Sequence, residues 1–128
     1  MSREPQMYQV ADELKNLATT LGEAAKRFKG IAPHLDEAGA SAAQAGRAVE
    51  RVPALPADEK RRFLEQQVEK PLVDARDRLC HAMQASHESF RKPDQFAVMN
   101  GLSPDEQQLL RRFDSVIATV RDFVERFT

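Results

Sequence analysis

The residues best suited to chemistry in this 128-residue chain are its single cysteine, Cys80, and its three histidines, His34, His81 and His87. A thiol nucleophile needs a base within roughly 3 Å. Cys80 and His87 share one face of a helix but stand about 10.5 Å apart along its axis at 1.5 Å per residue, so they form no dyad. Cys80 therefore reads as a small, half-buried hydrophobe. A metal held in a helical bundle takes histidines at helical spacing or a Glu-x-x-His pattern. Neither occurs: Gln84-x-x-His87 has the spacing without the charge, and His81 falls on a polar side with Asp77 as its expected partner.

A phosphate relay is the third chemistry open to a histidine on a helix. Histidine phosphotransfer domains place Lys and Gly just after the reactive histidine. Here His34 is followed by Leu35-Asp36-Glu37-Ala38, His81 by Ala82-Met83-Gln84-Ala85 and His87 by Glu88-Ser89-Phe90-Arg91, so none matches. Glycine-rich phosphate loops, nucleotide fingerprints and Ser-centred nucleophile elbows are also missing from the sequence. The expectation is a chain without catalytic, metal or cofactor-binding residues and without an evident small-molecule substrate.

Charge narrows the partners. With 19 basic and 20 acidic residues the formal net charge is -1, which creates no global field toward a polyanion or an anionic membrane. The densest basic clusters are Lys60-Arg61-Arg62 and Arg111-Arg112, and acids flank both: Asp58, Glu59 and Glu65 the first, Asp114 the second. A nucleic-acid-associated regulator would need these five residues to converge in the fold. The first helix carries Lys15, Lys26, Arg27 and Lys29 on its polar side, but Asp12, Glu13 and Glu23 dilute it as a membrane-surface helix. One cysteine and no apolar run of membrane-spanning length point to the cytoplasm.

Apolar residues recur in steps of three and four throughout, the pattern of amphipathic helices rather than strands. The expected fold is all-α: one domain over residues 1–128, an antiparallel bundle of about four helices with heptad-like packing. Met7, Val10, Leu14, Leu17, Leu21, Ala24 and Phe28 place the first helix at 5–29, with Gly30 as a left-handed C-terminal cap. Ile31, Leu35, Ala38, Ala42, Ala45, Val49 and Val52 mark a second at 33–52. Because this stripe continues the first in phase, an alternative is one fused helix kinked near Pro33, leaving three long helices. Small residues at Gly39, Ser41, Ala42, Ala43, Ala45 and Gly46 allow a backbone to approach the second helix closely.

Pro53-Ala54-Leu55-Pro56 forces a connector. A third helix over 57–90 follows, bent at Pro71 and charged on its outer face. Its expected i,i+4 pairs are Asp58 with Arg62, Arg61 with Glu65, Lys70 with Asp74, and Asp74 with Arg78. Unbroken to Phe90, it would be about 50 Å long and would protrude. A short turn at 94–99, closed by Asn100-Gly101, leads to the strongest start signal, Ser103-Pro104-Asp105-Glu106, which is a capping box ahead of a core helix at 104–127.

What such a sequence encodes best is helix packing. The leading expectation is a non-enzymatic interaction module, an adaptor, inhibitor or small chaperone, whose partner is another protein or a second copy in a homodimer. Its contact residues would be Leu64, Val68, Leu72 and Val73 near the proline, or the face formed by Ala42, Ala45, Gly46 and Val49; the competing reading places all of these in the chain's own core. The alternatives are the nucleic-acid regulator above and a histidine relay or metal-binding bundle.

Overall fold

The computed structural model describes residues 3–87 and 103–127. Their helices are α1 (Arg3–Arg27), α2 (Ala32–Arg51), α3 (Ala57–Leu64), α4 (Lys70–His87) and α5 (Pro104–Glu125). A π-helical turn, Glu65–Glu69, joins α3 to α4, so these two make a single rod and the bundle has four rods, with no strand among the described residues. Residues 88–102, which include Phe90, the turn at 94–99 and Asn100-Gly101, lie outside the described residues.

Helices α1 and α2 are separate and form a hairpin, as Gly30 and Pro33 suggest. Gly30 itself does not take the expected left-handed conformation, since no described glycine has positive φ. The chain turns instead at Phe28, with φ -105° and ψ 73°, and tightens into a 3₁₀ turn, Lys29–Ile31. The Ile31 amide donates to the Phe28 carbonyl at 3.1 Å, which satisfies a helix-end acceptor without a left-handed residue. Pro33 then occupies the first turn of α2, where no donor is needed.

Interhelical ion pairs record the topology. Lys15 meets Glu50 at 3.0 Å, Arg78 meets Glu37 at 3.0 Å, Arg121 meets Glu69 at 3.2 Å, Arg76 meets Asp114 at 2.9 Å, and Arg27 meets Asp105 at 2.7 Å. Residue numbers rise along one rod as they fall along its neighbour, as in Glu69–Arg121 with Arg76–Asp114 and in the approach of Gly39 to Ala18 and Gly46 to Ala11, so the four rods alternate in direction and α5 closes the ring against α1. Of the four i,i+4 pairs expected on the third helix, only Arg61–Glu65, at 3.4 Å, is formed. Arg78 crosses to Glu37 of α2 instead of pairing with Asp74, and Asp77 pairs with Arg76 at 3.5 Å rather than with His81.

Pro71 does not break the third rod. Its ring would collide with the carbonyl four residues earlier in a regular α-helix. The π-turn just before it opens the ladder, with the Lys70 amide donating to the Glu65 carbonyl five residues back. Leu64, Val68 and Leu72 stay fully buried across this irregularity, so packing on the neighbouring helices holds the widened turn in place.

The capping box at the start of α5 is formed in full. The Glu106 amide donates to Ser103 Oγ at 3.2 Å, and the Ser103 amide donates to Glu106 Oε1 at 2.9 Å. Pro104 and Asp105 occupy the first turn, where the first lacks an unneeded donor and the second faces the positive end of the helix dipole. Ser103→Ala is expected to cost about 1 kcal/mol in urea unfolding, with the slope unchanged. A loss indistinguishable from zero would show that tertiary packing alone sets where α5 begins.

Candidate functional site

The last three turns of α2 leave one side of the helix open. Ser41, Gln44, Ala48 and Arg51 recur at steps of three and four, with Arg47 beside them, and Phe63, Gln67 and Pro71 face them from the third rod at steps of four. Together they line a groove of about 400 Å³ between α2 and the α3–α4 rod. The π-turn carries Gln67 into its wall. None of the eight lining residues is buried: Gln44, Arg47, Arg51 and Gln67 are exposed, and the other four are half-buried. The site is a shallow trough with polar rims and a partly apolar floor of Ala48, Phe63 and Pro71.

Its arginines differ from those at the ion-paired seams, and share their lack of a carboxylate among the described residues with the exposed Arg62, Arg111 and Arg112. Arg27, Arg76, Arg78 and Arg121 each reach a carboxylate on a neighbouring helix. For Arg76, burial lowers the guanidinium pKa, but the hydrogen bond and charge of Asp114 outweigh it and raise the pKa above its ordinary value. Arg47 and Arg51 have no ion pair among the described residues. They lie one turn apart, where like charges repel, and Glu50, the one acid at helical spacing from Arg47, is taken by Lys15. Arg51 has no acid three or four residues away in either direction. The negative end of the α2 dipole offsets part of this repulsion at the last turn, by about 0.3–1 kcal/mol.

The residues expected to bind a partner lie elsewhere. Leu64, Val68, Leu72, Ala42, Ala45, Gly46 and Val49 are buried in the chain's own core, so a partner docking on this folded form meets none of them. The small-residue face does accept a closely approaching backbone, and that backbone is α1: a Cβ on Gly46 would lie 3.4 Å from the Ala11 carbonyl, and one on Gly39 would lie 3.3 Å from that of Ala18. Val73 is half-buried at the edge of a second depression of about 300 Å³, whose Glu69 and Arg121 already neutralise each other. Tyr8, 57% exposed, is the one large hydrophobe exposed among the described residues.

No match to the chain is found among protein-family models, curated proteins or solved structures.

The two basic clusters do not converge. The Glu69–Arg121 and Arg76–Asp114 pairs set the antiparallel register of the third rod and α5, which puts Arg111 and Arg112 opposite Leu79 and Arg78. That is some 18 residues, or about 27 Å at 1.5 Å per residue, from Lys60, Arg61 and Arg62. The convergence that a nucleic-acid surface built on these five residues requires is therefore not realised, and Arg61 is engaged with Glu65 besides.

The candidates for chemistry are dispersed as well. Cys80 is 7% exposed in the core and accepts a hydrogen bond from Gln84 Nε2 at 3.4 Å. His34 and His81 are exposed on different helices, and the side chain of His87 lies outside the described residues. No group of three potential metal ligands occurs among the described residues. Glu13, on the side of α1 that also carries Arg27 toward α5, keeps one buried carboxylate oxygen without a hydrogen-bond partner. No described helix is long and apolar enough to cross a membrane.

The apolar stripes of the sequence do not reveal the groove, because its rim residues are polar and lie one step around α2 from the stripe. The available signal was Arg51 itself, a cation one turn from another cation with no acid at helical spacing.

Proposed function

We propose that this chain is a non-enzymatic protein-interaction module whose partner is another protein, engaged by the groove between α2 and the α3–α4 rod. The observation that carries this reading is the pair of guanidiniums, Arg47 and Arg51, left without carboxylates among the described residues at the rim of a 400 Å³ groove, whereas Arg27, Arg76, Arg78 and Arg121 are paired across their seams. A local arrangement whose cost in stability is only partly offset within the chain is characteristic of a binding site. The groove also supplies Phe63 and Pro71 as apolar contact area and Gln44 and Gln67 as amide donors and acceptors, the mixture that interfaces use at their edges. Self-association through an apolar face has less support, since the aliphatic stripes are spent inside the bundle.

Photo-crosslinking tests the reading. A photoreactive residue at Gln67 is expected to capture a protein of different mass in an extract of the source cells. The same residue at Asp122, on the outer face of α5, is expected to capture none, and Arg47→Glu with Arg51→Glu is expected to abolish the adduct at Gln67. Equal capture at both positions, no capture at either, or adducts of only twice the chain mass would overturn it.

A further inference from the structure

We infer that the partner segment this groove takes is an acidic peptide, with carboxylates one helical turn apart on either side of an apolar residue. The inference rests on the interaction reading above and names the chemistry of that same site. Arg47 and Arg51 are separated by one turn of α2, so their Cβ atoms stand about 6 Å apart. Two carboxylates at the same spacing on a partner helix meet both guanidiniums at once, and each planar fork can take a carboxylate through two parallel hydrogen bonds. Carboxylates supply the negative charge that these two positions lack among the described residues, and they relieve the repulsion between the arginines. Such complementarity selects partners and speeds encounter more than it deepens affinity.

The floor determines what lies between the acids. Ala48, Phe63 and Pro71 are half-buried, so one apolar side chain of the peptide completes their burial. Gln44, Ser41 and Gln67 can bond to the peptide's own polar groups. The depth of the groove argues for a chain segment over a small molecule. Pockets for small molecules bury most of their ligand, and none of these eight residues is itself buried.

Selection from a displayed library of helical peptides tests the inference on the full chain. Binders retained by the native protein and discarded on the Arg47→Gln/Arg51→Gln variant are expected to be enriched in Asp and Glu at three- or four-residue spacing around an apolar position. A representative peptide should bind the double variant roughly tenfold more weakly, and its affinity should fall as salt rises. Arg112→Gln, on the far side of the bundle, should leave binding unchanged. Groove-dependent binders without acidic enrichment would overturn the acidic assignment while leaving the interaction site standing. No groove-dependent binder of any composition would overturn both. Displacement of the selected peptides by millimolar inorganic phosphate, with no acidic pattern among them, would show that the arginines hold a phosphate group instead.

Discussion

Phe113→Ala is expected to lower the unfolding free energy by about 3–5 kcal/mol, the largest loss from any single side chain described here. Phe113 is the bulkiest of the fully buried residues and sits in the middle of α5, flanked in sequence by the buried Leu109, Leu110, Val116 and Ile117. Truncation removes its apolar contacts and leaves a cavity, and the size of the second effect depends on whether the walls can close. They are held apart. Asp114, the next residue, is bound by Arg76 of α4 through two hydrogen bonds at 2.9 and 3.3 Å, while Asp105 and Arg121 tie the two ends of α5 to α1 and to the π-turn. A helix pinned at three places slides poorly into a void.

Urea unfolding followed by circular dichroism measures the loss, and an unchanged slope shows that the denatured state is the same. Phe127→Ala is the comparison. That ring is half-buried and meets Phe123 edge-to-face, with centroids 5.1 Å apart and an interplanar angle of 82°. Its removal should cost about 1–2 kcal/mol, from the ring pair and a partial loss of burial. Against a total stability of order 5–15 kcal/mol, Phe113→Ala leaves the chain marginal and Phe127→Ala does not. Equal losses for the two would mean that α5 is not seated as tightly as its burial implies.

The elements that the sequence makes legible are those whose physics is local. Ser103 and Glu106 announce the start of α5 because both halves of the capping box lie within one turn. The three-four apolar steps place all four rods because burial follows from periodicity alone. The same local logic misleads at Gly30, where a 3₁₀ turn and a twist at Phe28 do the work of a left-handed cap. At Pro71 it anticipates a disturbance but not its form, because a π-turn that keeps Leu64, Val68 and Leu72 buried is a solution only the neighbouring helices can select.

Long-range pairing is where local reading ends. Arg78 has Asp74 four residues before it, yet it bonds Glu37, 41 positions away. Glu50 stands three residues from Arg47, yet it bonds Lys15, 35 positions away. Both choices are decided by which helices become neighbours, and the second leaves a groove rim with uncompensated cations. The candidate site is thus the remainder after the bundle's own charge pairing is complete, which is why only its Arg51 left a trace in the sequence.

Gly39→Val is expected to destabilise the bundle by about 2 kcal/mol or more, although glycine is among the poorest residues for a helix interior. A Cβ at this position would lie 3.3 Å from the Ala18 carbonyl oxygen and 3.6 Å from the Leu21 Cβ. The first of these is backbone, so it cannot rotate away as a side-chain tip would. The two γ-carbons of valine extend about 1.5 Å beyond Cβ, and accommodating them pushes α1 and α2 apart at this point of their seam. Gly46 repeats the contact two turns later against the Ala11 carbonyl and Leu14, so forcing the helices apart at Gly39 also loosens the packing there. Gly22→Ala supplies the opposite sign. It lies inside α1 with nothing within 4 Å of an added Cβ, so the gain in helix propensity, about 1 kcal/mol, should appear undiminished as increased stability. Thermal and urea unfolding of both variants decide whether the small residues of α2 exist for α1: destabilisation at Gly39 with stabilisation at Gly22 assigns them to the hairpin, whereas a tolerated valine would free that face of α2 and return it to the search for a partner.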